Sequence, residues 1–514
     1  MSGNDALSDR KVTYSEVFAI GEYRALFAAT QLGWIGDYMA RAVVMALVFV
    51  ETDSVALAAA AFAVSYAPWL LGGPFLATLA ERLRYRSVMW ICDLLRASLI
   101  ALVALPGVPL PVMLLLIFCV AMLAPPAQAA RSATLPLVLT GERVVLGIAV
   151  NQAMGQATQV LGYAGGALLA GVNPRGALLL NAAAFAVSAL ILRFGLRDRA
   201  PAMQAEQRSN LLRETFEGYR MVFGTPPLRV IAVIVFASML FAILPEGLAI
   251  GWADELAAGE ETRRGFYQAL IMVANPLGVV VGGLLISRLL APSLRRRLVP
   301  MFAVLAPLSL VPALAEPGVV GVVAMATACG FVMSGMTPTL NGLFVQILRH
   351  GYRARAFGVM SSGMQIIQGG AILLSGMLTE LLPLHQVVGL WSLCGVGLMA
   401  VLALRWPTLD FFNRAIADTQ VANRGAQQAD EQVEQADEQA GHADEQAGHA
   451  DEQAGHAEEQ AATGRHRAGG PEAPAPPPVP ADVPAQGGVR HAGRTAPRRG
   501  SPAGEPAPPG TMER

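Results

Sequence analysis

The feature that most constrains this chain is a series of long apolar segments separated by short charged loops. The apolar segment from Val55 to Leu79, for example, is long enough to cross a bilayer, which takes about 20 residues. It ends in a basic loop that contains Arg82, Arg84 and Arg86. Arginines clustered at the end of a span hold that end on the cytoplasmic side. The sequence therefore predicts an all-α integral membrane protein whose orientation is set by its loops.

Twelve spans follow a polar lead-in at residues 1–21. Predicted cores in an N-terminal half (22–195) are Tyr23–Val50, Val55–Leu79, Ser87–Leu105, Leu110–Ala129, Val144–Val172 and Ala177–Phe194. Those in a C-terminal half (228–406) are Leu228–Gly251, Tyr267–Leu289, Leu298–Leu314, Val319–Leu348, Ala356–Leu382 and Val387–Leu404. A charged linker at 196–227 separates the halves and is long enough for a short helix on the cytoplasmic surface.

The charges of the loops test this count independently. Loops predicted inside hold Arg82, Arg84, Arg86, Arg131, Arg143, Arg295, Arg296, Arg297, Arg349, Arg353 and Arg355. Loops predicted outside hold Glu51, Asp53, Asp254, Glu255, Glu260, Glu261, Glu316 and Glu380. Arg175, Arg263 and Arg264 are exceptions on the outside. The alternation predicts twelve spans with both termini in the cytoplasm.

Composition excludes several classes of protein. Only 15% of the residues are charged and the mean hydropathy is +0.46, whereas soluble domains carry about 25% charged residues. A net charge of −1 gives no basis for binding nucleic acid. Cys92, Cys119, Cys329 and Cys394 each lie in an apolar run without a shared ligand spacing, so we predict buried thiols and no metal site.

The C-terminal segment 407–514 has a different character. Ala443–His449 and Ala450–His456 repeat the sequence ADEQAGH, and a proline-rich stretch begins at Pro471. Its seven-residue period has alanine where a coiled coil needs larger apolar side chains. The repeated histidines lie about 10 Å apart on a helix, too far to share one metal ion. We therefore predict a disordered cytoplasmic tail.

Two acidic residues inside spans are candidates for proton coupling. Asp37 and Arg41 lie one turn apart in the first span, where isolated charges are costly. They form either a proton- or substrate-binding site that lines a central cavity or a structural ion pair that locks this helix to a neighbouring one. Glu246 lies between Pro245 and Gly247 in the seventh span. It is either a third coupling residue or a solvated carboxylate near the outer face.

A polar stripe in the fifth span predicts a substrate cavity. Asn151, Gln152, Gln156 and Gln159 recur every three or four residues, and Gln365 and Gln368 match them in the eleventh span. Such a stripe is unfavourable against lipid, so we expect it to line the cavity or a helix interface. Glycines in the same span should let helices approach closely: Gly155, Gly162, Gly165 and Gly166.

The third span contains Asp93 and Arg96, spaced i, i+3 and expected near its cytoplasmic end. Their simplest interpretation is that they brace the basic loop that precedes them.

The loop GGPFLATLAERLRYR, residues 72–86, resembles the signature loop between the second and third helices of the major facilitator superfamily. Leu79, Arg82 and Arg86 match its pattern, and Glu81 stands where the family has aspartate. Ala77, Arg84 and Tyr85 depart from it. The string DLLR at Asp93–Arg96 and the pair Gly36–Asp37 are similar to the enterobactin-exporter and macrolide-efflux branch. The glycine-rich part of the fifth span is similar to a Gly-Pro-x-x-Gly string of drug and siderophore exporters of the superfamily, except that Tyr163 stands in place of the proline.

The resemblance implies two pseudo-symmetric six-helix halves that rock about a central site. An internal repeat agrees, because TLPLVLTGER at Thr134–Arg143 aligns with FVQILRHGYR at Phe344–Arg353. The resemblance also implies proton-driven export of a drug, macrolide or siderophore. It further implies a latch in which Glu81 meets the eleventh helix, supported by the remaining candidates: Arg82, Arg86, Asp93, Arg96 and Arg355.

Other functions are weighed against this one. An ATP-driven pump needs a lysine in a phosphate-binding loop, and the single lysine, Lys11, has no such loop. A membrane enzyme is disfavoured because His350 and His385 lie at loops. Uptake, facilitated diffusion and a receptor or scaffold remain alternatives. We expect a monomer in the bacterial cytoplasmic membrane that uses a small-molecule substrate and protons and needs no cofactor or metal.

Overall fold

The computed structural model describes residues 13–68, 83–139, 142–199, 211–348 and 353–424. Among the described residues, a helix lies in each of the twelve predicted spans, and the part of the second span after residue 68 lies outside them. The first six are Gly21–Thr52, Val55–Val64, Tyr85–Val103, Leu110–Met122 continued by Ala124–Val138, Glu142–Val172 and Pro174–Gly195. The seventh is Pro226–Ala242, Leu244–Gly247 and Ala249–Ala257. The last five are Glu261–Leu289, Pro292–Leu308 with the 3-10 turn Val311–Ala315, Val319–Ile347, Arg353–Leu378 and Leu384–Leu404.

Length and composition suit these helices to a membrane. In the described part of the chain, nine spans are long and apolar enough to cross one, counting the fourth, seventh and ninth as continuous. The other three are the second, whose described helix ends at Val64, the third and the fifth. Large apolar side chains such as Leu94, Leu102, Leu168 and Leu285 are exposed on the bundle surface. A multi-pass membrane protein accounts for that exposure, because lipid covers these side chains.

Prolines break the fourth and seventh spans near their middles. Pro125 and Pro126 begin the second piece of the fourth span, and Pro245 follows the break in the seventh. Proline has no N–H to continue the backbone ladder, so a helix bends or restarts there. The break in the seventh span places Glu246 in a short helix of its own, Leu244–Gly247.

The bundle has two chemically distinct ends. The basic end, where the first helix begins at Gly21, carries Arg84, Arg143 and Arg295. The opposite, acidic end carries Glu316.

Glycine contacts join the two halves toward the acidic end. A Cβ on Gly265 of the eighth span would lie 2.5 Å from Cα of Gly171 in the fifth, so only glycine fits. Similarly, a Cβ on Gly376 of the eleventh span would lie 2.5 Å from Cβ of Ala59 in the second. The halves are therefore packed backbone against backbone at this end.

Segments outside the spans are partly helical. The linker contains the helix Leu211–Gly224, as expected, and its Val222 is buried. The lead-in contains the short helix Tyr14–Phe18, and residues 1–12 lie outside the described residues.

The expectation that disorder begins at residue 407 is wrong for residues 409–424, which form a helix packed on the bundle. Phe412 is 1% exposed, and its ring lies 5.1 Å from that of Trp406. The hydroxyl of Thr419 donates to the carbonyl of Ile347 at 3.1 Å. The helix at 409–424 contains large apolar side chains such as Phe412, which pack on the bundle. The later ADEQAGH repeats have no such side chains. Those repeats and the rest of 425–514 lie outside the described residues.

The docked helix offers a matched pair of substitutions. Phe412→Ala should lower the free energy of unfolding by about 3–5 kcal/mol, because it empties a packed site. The adjacent Phe411 is 36% exposed, so Phe411→Ala should have a much smaller effect. Thermal unfolding in detergent measures both. A chain ending after Arg424 should unfold like the full chain, and equal losses from both alanine variants would contradict the docking.

Candidate functional site

A buried network of alternating charges lies in the middle of the N-terminal half. Nη2 of Arg96 donates to Oδ1 of Asp37 at 2.8 Å. Arg131 donates to both carboxylate oxygens of Asp93, at 3.0 and 2.8 Å. Ser188 also donates to Asp93, at 2.7 Å, and Nη1 of Arg96 lies 3.9 Å from Asp93 Oδ1. Four spans are thereby linked through two aspartates and two arginines.

Neighbouring residues make room for this network. Phe185 of the sixth span presents its ring to the guanidinium of Arg96 at 4.9 Å. A Cβ on Gly33 would lie 2.9 Å from Nη2 of Arg131, so glycine lets that guanidinium reach the first span. Asp93 is 0% exposed and Arg96 1% exposed. Charges buried so deeply are tolerated only while each keeps its partner.

Three sequence-based expectations are corrected by this geometry. Asp37 pairs with Arg96 in another span, not with its helix neighbour Arg41. Asp93 and Arg96 do not brace the basic loop, because they lie about 12 and 16 Å along a helix that begins at Tyr85.

Arg131 is not in a loop, because the fourth span continues to Val138 and buries it. In the sequence, Gln128 and Arg131 are three residues apart and therefore lie on one helix face. That spacing could have indicated that the fourth span also has a polar face.

Arg41 lies among aromatic side chains. Its guanidinium is 4.8 Å from the ring centre of Tyr66 and 5.6 Å from that of Tyr38. Its one hydrogen bond, from Nη1 to the hydroxyl of Tyr66, measures 3.3 Å. Within the described residues, no carboxylate lies at salt-bridge distance from Arg41.

Glu246 occupies a second buried position, close to this aromatic group. The hydroxyl of Tyr163 donates to its Oε2 at 2.9 Å, and the ring of Tyr163 meets that of Tyr38 edge to face at 5.1 Å. Glu246 is 4% exposed, which corrects the alternative of a solvated carboxylate. Because Tyr163 and Glu246 belong to opposite halves, their bond crosses the interface between them. A tyrosine hydroxyl inside a glycine-rich apolar run was the sequence signal for such a partner.

A cavity of about 220 Å³ lies beside these groups. Its charged lining consists of Asp37, Arg41, Arg96 and Arg131, and its apolar lining includes Val44, Ala61, Ile100, Ile117 and Val120. Gln365 contributes from the C-terminal half. A smaller cavity of about 120 Å³ shares Trp34, Gln128 and Arg131 with it and reaches Thr30 and Asn151 toward the basic end.

The predicted polar stripe is divided between two roles. Gln31 of the first span donates to Asn151 at 3.4 Å and accepts from Thr158 at 2.6 Å, so this part forms a helix interface. Gln156 and Gln159 are half-buried outside the cavity lining, and the side chain of Gln152 lies outside the described residues.

The two glutamines of the eleventh span that were expected to match that stripe have different surroundings. Gln365 lines the cavity, whereas Gln368 contacts Sδ of Met239 at 3.1 Å.

Glycines of the fifth span pack closely against the first, as expected. Cβ atoms placed on Gly162 and Gly166 would lie 2.6 Å from Tyr38 Cβ and 2.8 Å from the Met39 carbonyl oxygen. Gly165 faces open space.

The latch is only partly described. Glu81 and Arg82, and the side chain of Arg355, lie outside the described residues. Arg86 donates to the backbone carbonyl of Arg193 in the same half. The role of these residues stays a prediction.

Comparisons with known proteins place this geometry in a family context. A model of the Major Facilitator Superfamily matches residues 26–259. The nucleoside transporter NupG is similar in structure, with 15% identity, a TM-score of 0.58 and coverage of 77% of this chain and 99% of that one. A bacterial homologue of the human lysosomal transporter Spinster, inward-facing and unoccupied, has 13% identity, a TM-score of 0.57 and coverage of 78% and 97%.

A bacterial homologue of the iron transporter ferroportin, in its inward-facing state, has 17% identity, a TM-score of 0.55 and coverage of 77% and 99%. A search of the curated proteins finds no match. The structural matches show that the chain has the major facilitator fold.

The charge network predicts a specific pattern of stability. Asp93→Asn should lower the free energy of unfolding by about 3–5 kcal/mol, because it leaves Arg131 buried without its carboxylate. Adding Arg131→Gln should restore part of that loss. Asp37→Asn should cost less, because the Asp37 side chain is 28% exposed. Thermal unfolding in detergent ranks the variants, and additive losses in the Asp93–Arg131 double variant would contradict a coupled pair.

Proposed function

We propose that this chain is a secondary transporter that exports a hydrophobic or amphipathic small molecule in exchange for protons. The observation that carries the proposal is the cavity between the halves, which combines an apolar lining with charged groups. Glycine contacts close the acidic end, and the cavity residues continue toward the basic end. This arrangement supports one state of an alternating-access cycle, open to the basic side.

The hydrogen bond between Tyr163 and Glu246 supports a coupling role for Glu246. It joins the two halves, so rocking them apart at the acidic end separates donor from acceptor. A buried carboxylate within a membrane must be paired, solvated or protonated. Among the described residues, no cationic side chain lies at salt-bridge distance from Glu246. Taking up a proton in one state and releasing it in the other is the change that antiport requires.

Asp37 and Arg41 are also proposed participants, with different supporting geometry. Asp37 already pairs with Arg96, so a coupling role for Asp37 requires that pair to separate as the halves move. Glu246 therefore takes precedence as the proton carrier. The driving force suffices for uphill export, since each proton contributes roughly 2.3 kcal/mol per 100 mV and about 1.4 kcal/mol per pH unit.

The basic end is proposed to face the cytoplasm of a bacterium, because arginines favour that side. Cysteines placed singly at Ser293 and Glu260, both exposed, test this in a background without native cysteines. An impermeant thiol reagent should label position 260 on intact cells and position 293 only after permeabilisation. The reverse pattern would overturn the orientation.

Proton coupling is tested by Glu246→Gln in proteoliposomes that contain a pH-sensitive dye. Amphipathic compounds added to the wild type should drive proton movement, and the variant should lose that signal while compound binding persists. Glu255→Gln is the matched control, since Glu255 lies nearby on the same span but is exposed. Compound uptake without proton movement in the wild type would refute antiport. Normal proton movement in Glu246→Gln would place the proton site elsewhere.

A further inference from the structure

The charged lining of the cavity is unbalanced. Among the described residues, three arginines face it and one carboxylate, that of Asp37. Asp37 is engaged by Arg96, and Asp93 outside the lining engages Arg131. Arg41 is the arginine of this lining that has no carboxylate at salt-bridge distance among the described residues, although Asp37 and Glu246 are near enough to interact with its charge through space.

The donors of these arginines are also underused. Among the described residues, Arg41 makes one hydrogen bond, to the Tyr66 hydroxyl, although a guanidinium offers several N–H donors in a planar fork. In the part of the chain that the structure describes, Nη1 of Arg96 has no hydrogen-bond acceptor, although the side chain is 1% exposed. A buried donor without an acceptor costs free energy that a ligand can recover by supplying one. Both guanidinium groups border the same cavity.

We infer that the cavity binds the anionic head group of an amphipathic small molecule, a carboxylate or a phosphate, through Arg41. A guanidinium fork matches the paired oxygens of either group. The rings of Tyr38 and Tyr66 hold the guanidinium in place, and the apolar side chains beyond it accept the rest of the molecule. The claim that the bound molecule is exported rests on the proposed function. The claim that the cavity binds an anion does not.

Three fluorescent compounds that share one apolar group test the head-group preference. Dansylglycine is an anion, dansylamide is neutral and dansylcadaverine is a cation. Binding to purified protein is followed by the fluorescence increase of the dansyl group in apolar surroundings. Dansylglycine should bind the wild type at least about tenfold more tightly than the other two, as a charge-assisted pair provides.

Substitutions at Arg41 assign the preference to that side chain. Arg41→Gln should weaken dansylglycine binding at least about tenfold and change dansylamide binding little. Arg41→Lys should retain part of the affinity, because it keeps the charge without the fork. Arg175→Gln removes an arginine outside the cavity, paired with Glu51, and should bind like the wild type. Thermal unfolding of each variant verifies that it is folded.

Competition distinguishes the two head groups. Displacement of dansylglycine by 2-naphthoate identifies a carboxylate site, and displacement by 2-naphthyl phosphate identifies a phosphate site, with 2-naphthol as the neutral control. Equal binding of all three dansyl compounds, no binding of dansylglycine, or unchanged affinity in Arg41→Gln would overturn the inference. Anion binding without proton movement in proteoliposomes would instead refute the proposed antiport and leave the anion site standing.

Discussion

The structure depends on the buried ion-pair network of Asp37, Arg96, Asp93 and Arg131. It ties the first, third and fourth spans together, and Ser188 adds the sixth. Each charge would be expensive alone in a membrane, so the four can be buried only as a complete set. The N-terminal half is therefore a unit with a defined internal arrangement, and the cavity is formed on one side of it. Because the network neutralises its own charges, it leaves Arg41 as a distinct feature of the cavity wall.

The contacts between the halves are of a different kind. Small residues such as Gly171 and Gly265 allow close van der Waals approach. The Tyr163–Glu246 bond and the bond from Gln268 to the carbonyl of Ala42 add polar links between the halves. Such contacts can separate at modest cost, because none of the ion pairs between described residues crosses this interface. Strong polar bonds inside a half and weaker contacts between halves are what rigid-body rocking requires.

The overall fold and many of the candidate residues could be predicted from the chain. A helix lies in each of the twelve spans where the structure describes it, and Asp37, Arg41 and Gln365 line the cavity. Arg96 lines it too, although its spacing with Asp93 had suggested a place beside the basic loop. Their partners could not be predicted: Asp37 is 59 residues from Arg96 along the sequence. Helix spacing suggested that Asp37 pairs with Arg41 and Asp93 with Arg96, because spacing relates only residues of the same helix. The helix at 409–424 was missed because the charged repeats after it dominate the composition of the tail.

Local properties of the sequence determined what depends on one segment at a time. The length of each apolar segment determined where a helix can span the membrane. The charges of the loops determined which end of the bundle is basic and which is acidic. Tertiary structure alone decided which charges are neutralised and which remain available. That outcome depends on how four spans rotate and pack, and on whether Gly33 leaves space for a guanidinium. It also decided that Glu246 is buried against Tyr163, since burial is a property of the assembled halves and not of the seventh span.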